Sequence, residues 1–220
     1  MLKIEQVCKS FGKRVILDHL SLSVEEGEFI SVFGESGSGK STFLNIVSTL
    51  LKPDEGKLSL QGFAYSSLSK KKQESFRVEN FSYIPPEANL LSPLTAEENI
   101  LFPLSLQKLP YSEEDFNSIC RTLSLNPLLK SPASSLSSGE QQRVAVARAL
   151  LLKKKVLIAD EPTSHLDADL SKVVVSLLRE EAKKNSSIVL CACHDRTLIE
   201  EFDKVYFLKN GVLSQYEEES

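Results

Sequence analysis

The run Gly34-Glu35-Ser36-Gly37-Ser38-Gly39-Lys40-Ser41 constrains this chain more than any other feature. It matches G-x-x-x-x-G-K-[ST] in full, follows the apolar run Phe29–Phe33, and opens a helical pattern that extends from Lys40 to about Leu51, before Pro53. Strand, glycine-rich turn and helix start, in that order, make a phosphate cradle. Glycines let the backbone wrap an anion, and the exposed N–H groups and helix dipole attract it. The candidate nucleotide-binding set is therefore Gly34, Glu35, Ser36, Gly37, Ser38, Gly39, Lys40 and Ser41, with the adjoining Thr42. Lys40 supplies a point charge for β- and γ-phosphates, and the Ser41 hydroxyl is a candidate ligand for Mg²⁺. A chain this long meets the pattern by chance roughly once in a hundred, and the correct strand and helix context makes nucleotide binding the expectation.

A second element fits the first. Val156-Leu157-Ile158-Ala159-Asp160-Glu161 reads as a buried strand ending in two carboxylates. Asp160 is the candidate that holds Mg²⁺ through water, and Glu161 the candidate that orients or deprotonates an attacking water. A solvated acidic strand end is the bland alternative, and the complete phosphate loop weighs against it.

The organisation around these motifs is that of one domain, residues 1–220. Strands are expected over Leu2–Cys8, Leu20–Val24, Phe29–Phe33 and Lys57–Gln61, with a turn at Gly12-Lys13. Between about Ser66 and Ser138 seven prolines punctuate short helical patterns, which reads as a separate helical insertion. The alternation of strand and helix then resumes. Gly139–Lys153 and Asp169–Asn185 read as helices, and Val156–Asp160 and Ser187–Ala192 as strands. Val205–Leu208 and Val212–Tyr216 flank an Asn-Gly hairpin signal. Short uniform apolar runs linked by helices imply a parallel sheet covered on both faces.

Composition removes several classes. Net charge is −4, so a basic face for nucleic acid is not expected, and Lys70–Lys72 and Lys153–Lys155 read as solvated surface. The longest stretch without Asp, Glu, Lys or Arg is Leu58–Ser69, short of the ~20 apolar residues of a membrane span. The first residues lack the apolar core of a secretory leader, so a cytoplasmic location is expected. The four cysteines fit a reducing compartment. Cys191-x-Cys193 puts both thiols on one face of a strand, without the CxxC spacing of zinc or redox sites.

Further motifs complete a resemblance. Leu136-Ser137-Ser138-Gly139-Glu140-Gln141-Gln142-Arg143, Ser164-His165-Leu166-Asp167, and His194 followed by Asp195 stand in order with the phosphate loop and Asp160-Glu161. Over essentially its whole length the chain resembles the ATP-binding subunits of ABC transporters. The first of these runs is similar to the family's signature motif, the second to its D-loop, and His194 to its switch histidine. The resemblance implies an α/β fold of P-loop NTPase type. It would combine a parallel-sheet core, an N-terminal antiparallel β subdomain and an inserted helical subdomain at approximately residues 86–145 that includes the signature. It further implies a homodimer with two ATP molecules, and Mg²⁺, between the subunits. Ser137 and the Gly139 amide of one subunit would face the γ-phosphate held by the other, at a helix start suited to anions. Glu161 and His194 become the catalytic pair, and Phe11 stands where the family stacks an aromatic ring on adenine. Partners would be integral membrane permease subunits, with the cassette peripheral on the cytoplasmic face of the inner membrane.

Two departures bear on turnover. Pro86 aligns with a glutamine of the family, and proline has neither that side-chain oxygen nor a free φ. Ser138 stands where glycine is usual, adding a Cβ near the phosphate-facing backbone. Segment 66–99 is similar to the branch holding lipoprotein-releasing ATPases, macrolide exporters and the cell-division type. The first expectation is ATP hydrolysis driving a separate permease, with lipoprotein release the leading cargo. The alternative is a nucleotide-dependent regulatory module of an envelope complex with weak ATPase activity.

Overall fold

Alternating apolar residues and the turn at Gly12-Lys13 build an antiparallel hairpin, β1 (Leu2–Phe11) and β2 (Arg14–Val24). The apolar run that follows becomes β3 (Phe29–Phe33), every residue of it buried, and leads into α1 (Lys40–Val47). Next come β4 (Glu55–Leu60), β5 (Phe63–Ala64), α2 (Lys70–Asn80) and β6 (Phe81–Ile84). Three helices follow: α3 (Ala96–Gln107), α4 (Glu113–Thr122) and α5 (Ser138–Leu151). Capping boxes start two of them, Thr95 with Glu98 on α3 and Ser137 with Glu140 on α5. The remaining elements are β7 (Val156–Asp160), α6 (Ala168–Asn185), β8 (Ile188–Cys193), β9 (Lys204–Lys209) and β10 (Val212–Gln215). This is a computed structural model that describes Met1–Tyr216; positions 217–220 of the expected domain lie outside the described residues.

The strands form two sheets. One is antiparallel, in the order β2-β1-β4-β5; the other has six strands in the order β10-β9-β3-β8-β7-β6. Five of those six run parallel, and β10 closes the edge by pairing antiparallel with β9. Residues on the parallel strands divide by parity between two cores. Phe29, Phe33, Val189, Cys191 and Cys193 pack toward α5 and α6. Ile30, Val32, Ile188, Leu190 and Ala192 pack against α1 and the antiparallel sheet. Burial on both faces explains why these strands read as unbroken apolar runs.

Two sequence expectations change. The helix after the phosphate loop stops at Val47 rather than near Leu51, because Thr49 turns left-handed (φ 64°). The Leu50 and Leu51 amides then both return to the Asn45 carbonyl, closing the helix before Pro53 is reached. The proline-rich stretch 66–138 also contains a strand of the main sheet. β6 pairs with β7 at the sheet edge, and Pro85 comes just after it, where no ladder hydrogen bond is lost.

Candidate active site

The loop 34–39 links β3 to α1 at the carboxyl end of the parallel strands, where open α/β sheets bind ligands. Gly39 precedes α1 with φ 107°, and a Cβ there would stand 2.8 Å from the Ile16 side chain, so only glycine fits. The loop's carbonyls aim the lysine. Lys40 Nζ, almost fully buried, donates to the Gly34 and Glu35 oxygens at 2.8 and 3.2 Å. The loop borders an open cavity of about 900 Å³ lined by Gly34–Ser38, Lys40, Glu161, His194 and the β9–β10 hairpin. A smaller recess of about 230 Å³ on its other side is lined by Arg14, Gly37, Gly39, Lys40, Ser41, Thr42 and Glu161 among others. Ser38 Oγ is buried and has no hydrogen-bond partner.

The carboxylates lie at the end of β7. Asp160 is 1% exposed, and burial pushes its carboxyl above the ordinary Asp range, while the Ser41 hydroxyl and the Lys40 charge pull the other way. Its Oδ1 is buried without a partner. Buried carboxylate oxygens are rarely left so. With Ser41 beside it, the pair offers the hard oxygen donors that suit a small divalent cation. Glu161 takes φ 50° and its amide returns to the Ala192 carbonyl at 3.0 Å. This left-handed turn leaves its carboxylate at the carboxyl end of the parallel strands. There it stands 3.7 Å from Lys40 Nζ and 3.5 Å from His194 Nδ1. Three segments distant in sequence thus converge on one point.

The remaining sequence-predicted residues lie elsewhere. Ser137 caps α5, where its hydroxyl and amide both donate to Glu140 Oε2. Gly139 packs against the following loop: a Cβ there would meet the His165 carbonyl oxygen at 2.7 Å. Neither residue lines the cavity of its own chain. Phe11 ends β1, exposed and outside both recesses, with Lys9 Nζ 5.5 Å from its ring centroid. It pairs across the hairpin with Arg14, which lines both recesses and donates to the Gly37 carbonyl at 3.4 Å. Pro86 and Glu87 are exposed and line neither recess.

Several site residues escape sequence reading. Tyr83 on β6 holds its hydroxyl 3.1 Å from Asn45 Oδ1 and 3.5 Å from Asp160 Oδ2. Burial and the nearby Asp160 charge push its phenol well above the usual range, so it stays a neutral donor. Gln142, fully buried on α5, donates to the Pro85 carbonyl at 3.3 Å and leaves its own Oε1 unpaired. Arg14, Arg196, Lys209 and Asn210 add polar groups around the cavity. The turn signals at Gly12-Lys13 and Asn210-Gly211 announce two hairpins, and nothing in the sequence says that both reach the cavity.

The ABC transporter family pattern matches residues 17–164. The Bacillus subtilis ABC transporter ATP-binding protein YxdL is 36% identical, over 97% of this chain and 85% of its own. The lipoprotein-releasing system ATP-binding protein LolD of Rickettsia felis is 38% identical, over 93% and 92%. Among solved structures, the dimeric bacterial ABC transporter cassette MJ0796 superposes with a TM-score of 0.91 at 29% identity, with both chains fully covered. The same cassette in a post-hydrolysis dimer bound to ADP and Pi gives 0.90. Phosphate loop, acidic strand end and histidine thus occur on a matching fold across most of the chain, which belongs to the ABC transporter family as an ATP-binding subunit, an ABC-type ATPase.

Proposed function

We propose that this cassette binds ATP with Mg²⁺ at the phosphate loop, hydrolyses it as half of a homodimer, and drives a separately encoded membrane permease. The convergence of Lys40, Glu161 and His194 beside the orphaned Asp160 Oδ1 carries the reading. Ser41 and Asp160 would hold Mg²⁺, which when bound neutralises charge on the β- and γ-phosphate oxygens. Lys40 takes the same phosphates from the loop side. Glu161, on its rigid left-handed turn, accepts a proton from the attacking water, and His194 steadies that water and the γ-phosphate. Phe11 stacks on the adenine from the hairpin end. Ser137 and the Gly139 amide serve the second copy's γ-phosphate rather than their own.

Among the described residues no helix is long and apolar enough to cross a membrane, so the reading needs an integral membrane partner, with the cassette on the cytoplasmic face. Lipoprotein release is the cargo best supported by the LolD relatives, which cover nearly the whole chain. Co-purification with a permease, together with steady-state phosphate release, tests the proposal. Glu161→Gln should keep ATP affinity and lose at least about a hundredfold in turnover. Wild-type turnover in that variant would move the base elsewhere.

The alternative regulatory reading, with weak turnover, rests on one observation: Pro86 is exposed, away from the cavity, and carries no side-chain oxygen to bring there. Pro86→Gln should then raise kcat about tenfold, roughly 1.4 kcal/mol of transition-state stabilisation, with ATP affinity nearly unchanged. Phosphate release measured with the partner present decides between the readings. An unchanged kcat would mean that the site is complete without that glutamine.

A further inference from the structure

We propose that Cys8, Asp18 and His19 form a binding site for one zinc ion on the outer face of the antiparallel sheet, outside the nucleotide cavity. The observation behind it is a β-bulge. Between the register pairs Val7↔Leu20 and Lys9↔Leu17, β1 contributes one residue, Cys8, and β2 contributes two, Asp18 and His19. Successive strand residues normally point to opposite faces. Here His19 takes φ 50°, and both Asp18 and His19 are exposed while Leu17 and Leu20 on either side are buried. The bulge therefore sets two consecutive polar side chains on the face that carries the half-buried Cys8.

The donors are close enough to share an ion. The Cys8 sulfur, one His19 ring nitrogen and one Asp18 carboxylate oxygen all lie within 4.8 Å of one another. Tetrahedral zinc, with bonds of about 2.0–2.3 Å, places its donors on the order of 3.5 Å apart, so rotation of exposed side chains closes the difference. One pair of donors is already together: Asp18 Oδ1 stands 2.7 Å from His19 Nδ1. The His19 backbone N–H donates to the Cys8 sulfur at 3.3 Å, which ties the bulge to the thiol-bearing strand.

The frame behind the donors is fixed. The Asp18 amide donates to the Gly211 carbonyl at 2.9 Å, at the tip of the β9–β10 hairpin. On the other side the Gln6 amide, itself at φ 50°, donates to Ser21 Oγ at 2.9 Å. Thiolate, imidazole and carboxylate together select zinc over magnesium or calcium, and three protein ligands leave a fourth position for water.

The test uses the full chain, reduced, stripped with chelator and held in excess Mg²⁺ so that the oxygen site at Asp160 is saturated. Zn²⁺ is titrated against a chromophoric chelator, and Co²⁺ is used in parallel to report thiolate ligation by its charge-transfer absorption. The wild-type chain should take up one Zn²⁺, and Cys8→Ser and His19→Gln should each weaken it at least about tenfold. Cys120→Ser, at a buried thiol on α4, should leave both zinc affinity and the cobalt band unchanged. No zinc uptake by the folded wild-type chain would overturn the proposal. So would equal uptake by Cys8→Ser and His19→Gln, or a cobalt complex without the thiolate band.

Discussion

Lys40 and Asp160 are both buried charged groups at the phosphate loop, and the fold treats the two differently. The lysine is held in place by two loop carbonyls, so the backbone aims its ammonium into the concavity before any phosphate arrives. Lys40→Ala should lower ATP affinity by more than tenfold, a loss beyond about 1.4 kcal/mol, measured by titration of the purified chain. Equal affinity would remove the phosphate-cradle role. Asp160 is a buried carboxyl whose protonation is favoured by folding, since its environment raises its affinity for the proton. The sign follows: its contribution to stability is fullest at low pH and is lost as pH rises through the raised folded value. Asp160→Asn removes that cost. Without nucleotide, the variant should have a higher Tm than wild type at neutral pH, and the gain should shrink on acidification. Hydrolysis should be lost in the same variant. A Tm gain coupled to lost turnover is the mark of a carboxylate kept for chemistry rather than for the fold.

At the scale of elements, α5 and the loop after β7 meet through Gly139. A glycine replaced by alanine inside a helix normally gains stability, by up to about 1 kcal/mol. Here the new Cβ would lie 2.7 Å from the His165 backbone oxygen, so the loop and helix must part. Gly139→Ala should therefore be destabilising, by about 1–3 kcal/mol, whereas Ser138→Ala, at the exposed neighbouring position, should stay within about 0.5 kcal/mol. Chemical denaturation of the two variants checks the sign. The same scale shows what a sequence can reveal. β3 and β7 were expected at Phe29–Phe33 and Val156–Asp160 and take those bounds, because strands buried on both faces are simple apolar runs. The phosphate loop was legible because its chemistry is contiguous. β6 was not: four residues in a proline-rich stretch lack the length to show a period. With β6 unseen, Tyr83 could not be placed beside Asp160, since that contact exists only through the pairing of Tyr83 with Ile158. Arg14 and Asn210 reach the cavity by similarly long-range routes.

On the proposed reading the whole chain would present one half of a composite site. The cavity holds the phosphate loop, Glu161 and His194, while Ser137 sits exposed at the start of α5 and lines neither recess. A helix start attracts anions, and beyond the amides tied up in the capping box those of Ser138 and Gly139 remain, yet neither residue lines the recesses of its own chain. Pairing two chains head to tail would bring each α5 start to the other's loop and complete both sites. The similar cassette MJ0796 is a dimer in both solved forms. ATP would then be the glue and hydrolysis the release, so blocking hydrolysis should expose the dimer. Glu161→Gln keeps the side chain's size and removes its charge, which also relieves repulsion toward the γ-phosphate. With ATP and Mg²⁺ it should elute as a dimer of 24.4 kDa chains on sizing chromatography with light scattering, where wild type shows that species only transiently. Adding Ser137→Phe to Glu161→Gln should return the protein to monomer while leaving the Lys40-dependent ATP affinity of the single chain within about threefold. Ser137 is exposed, and losing its hydroxyl gives up the cap it makes with Glu140, a cost of about 1 kcal/mol, so circular dichroism and a melting curve verify that the variant stays folded. A monomer in Glu161→Gln despite bound ATP, or a dimer that persists with Ser137→Phe, would show that the signature helix is not the surface that completes the site.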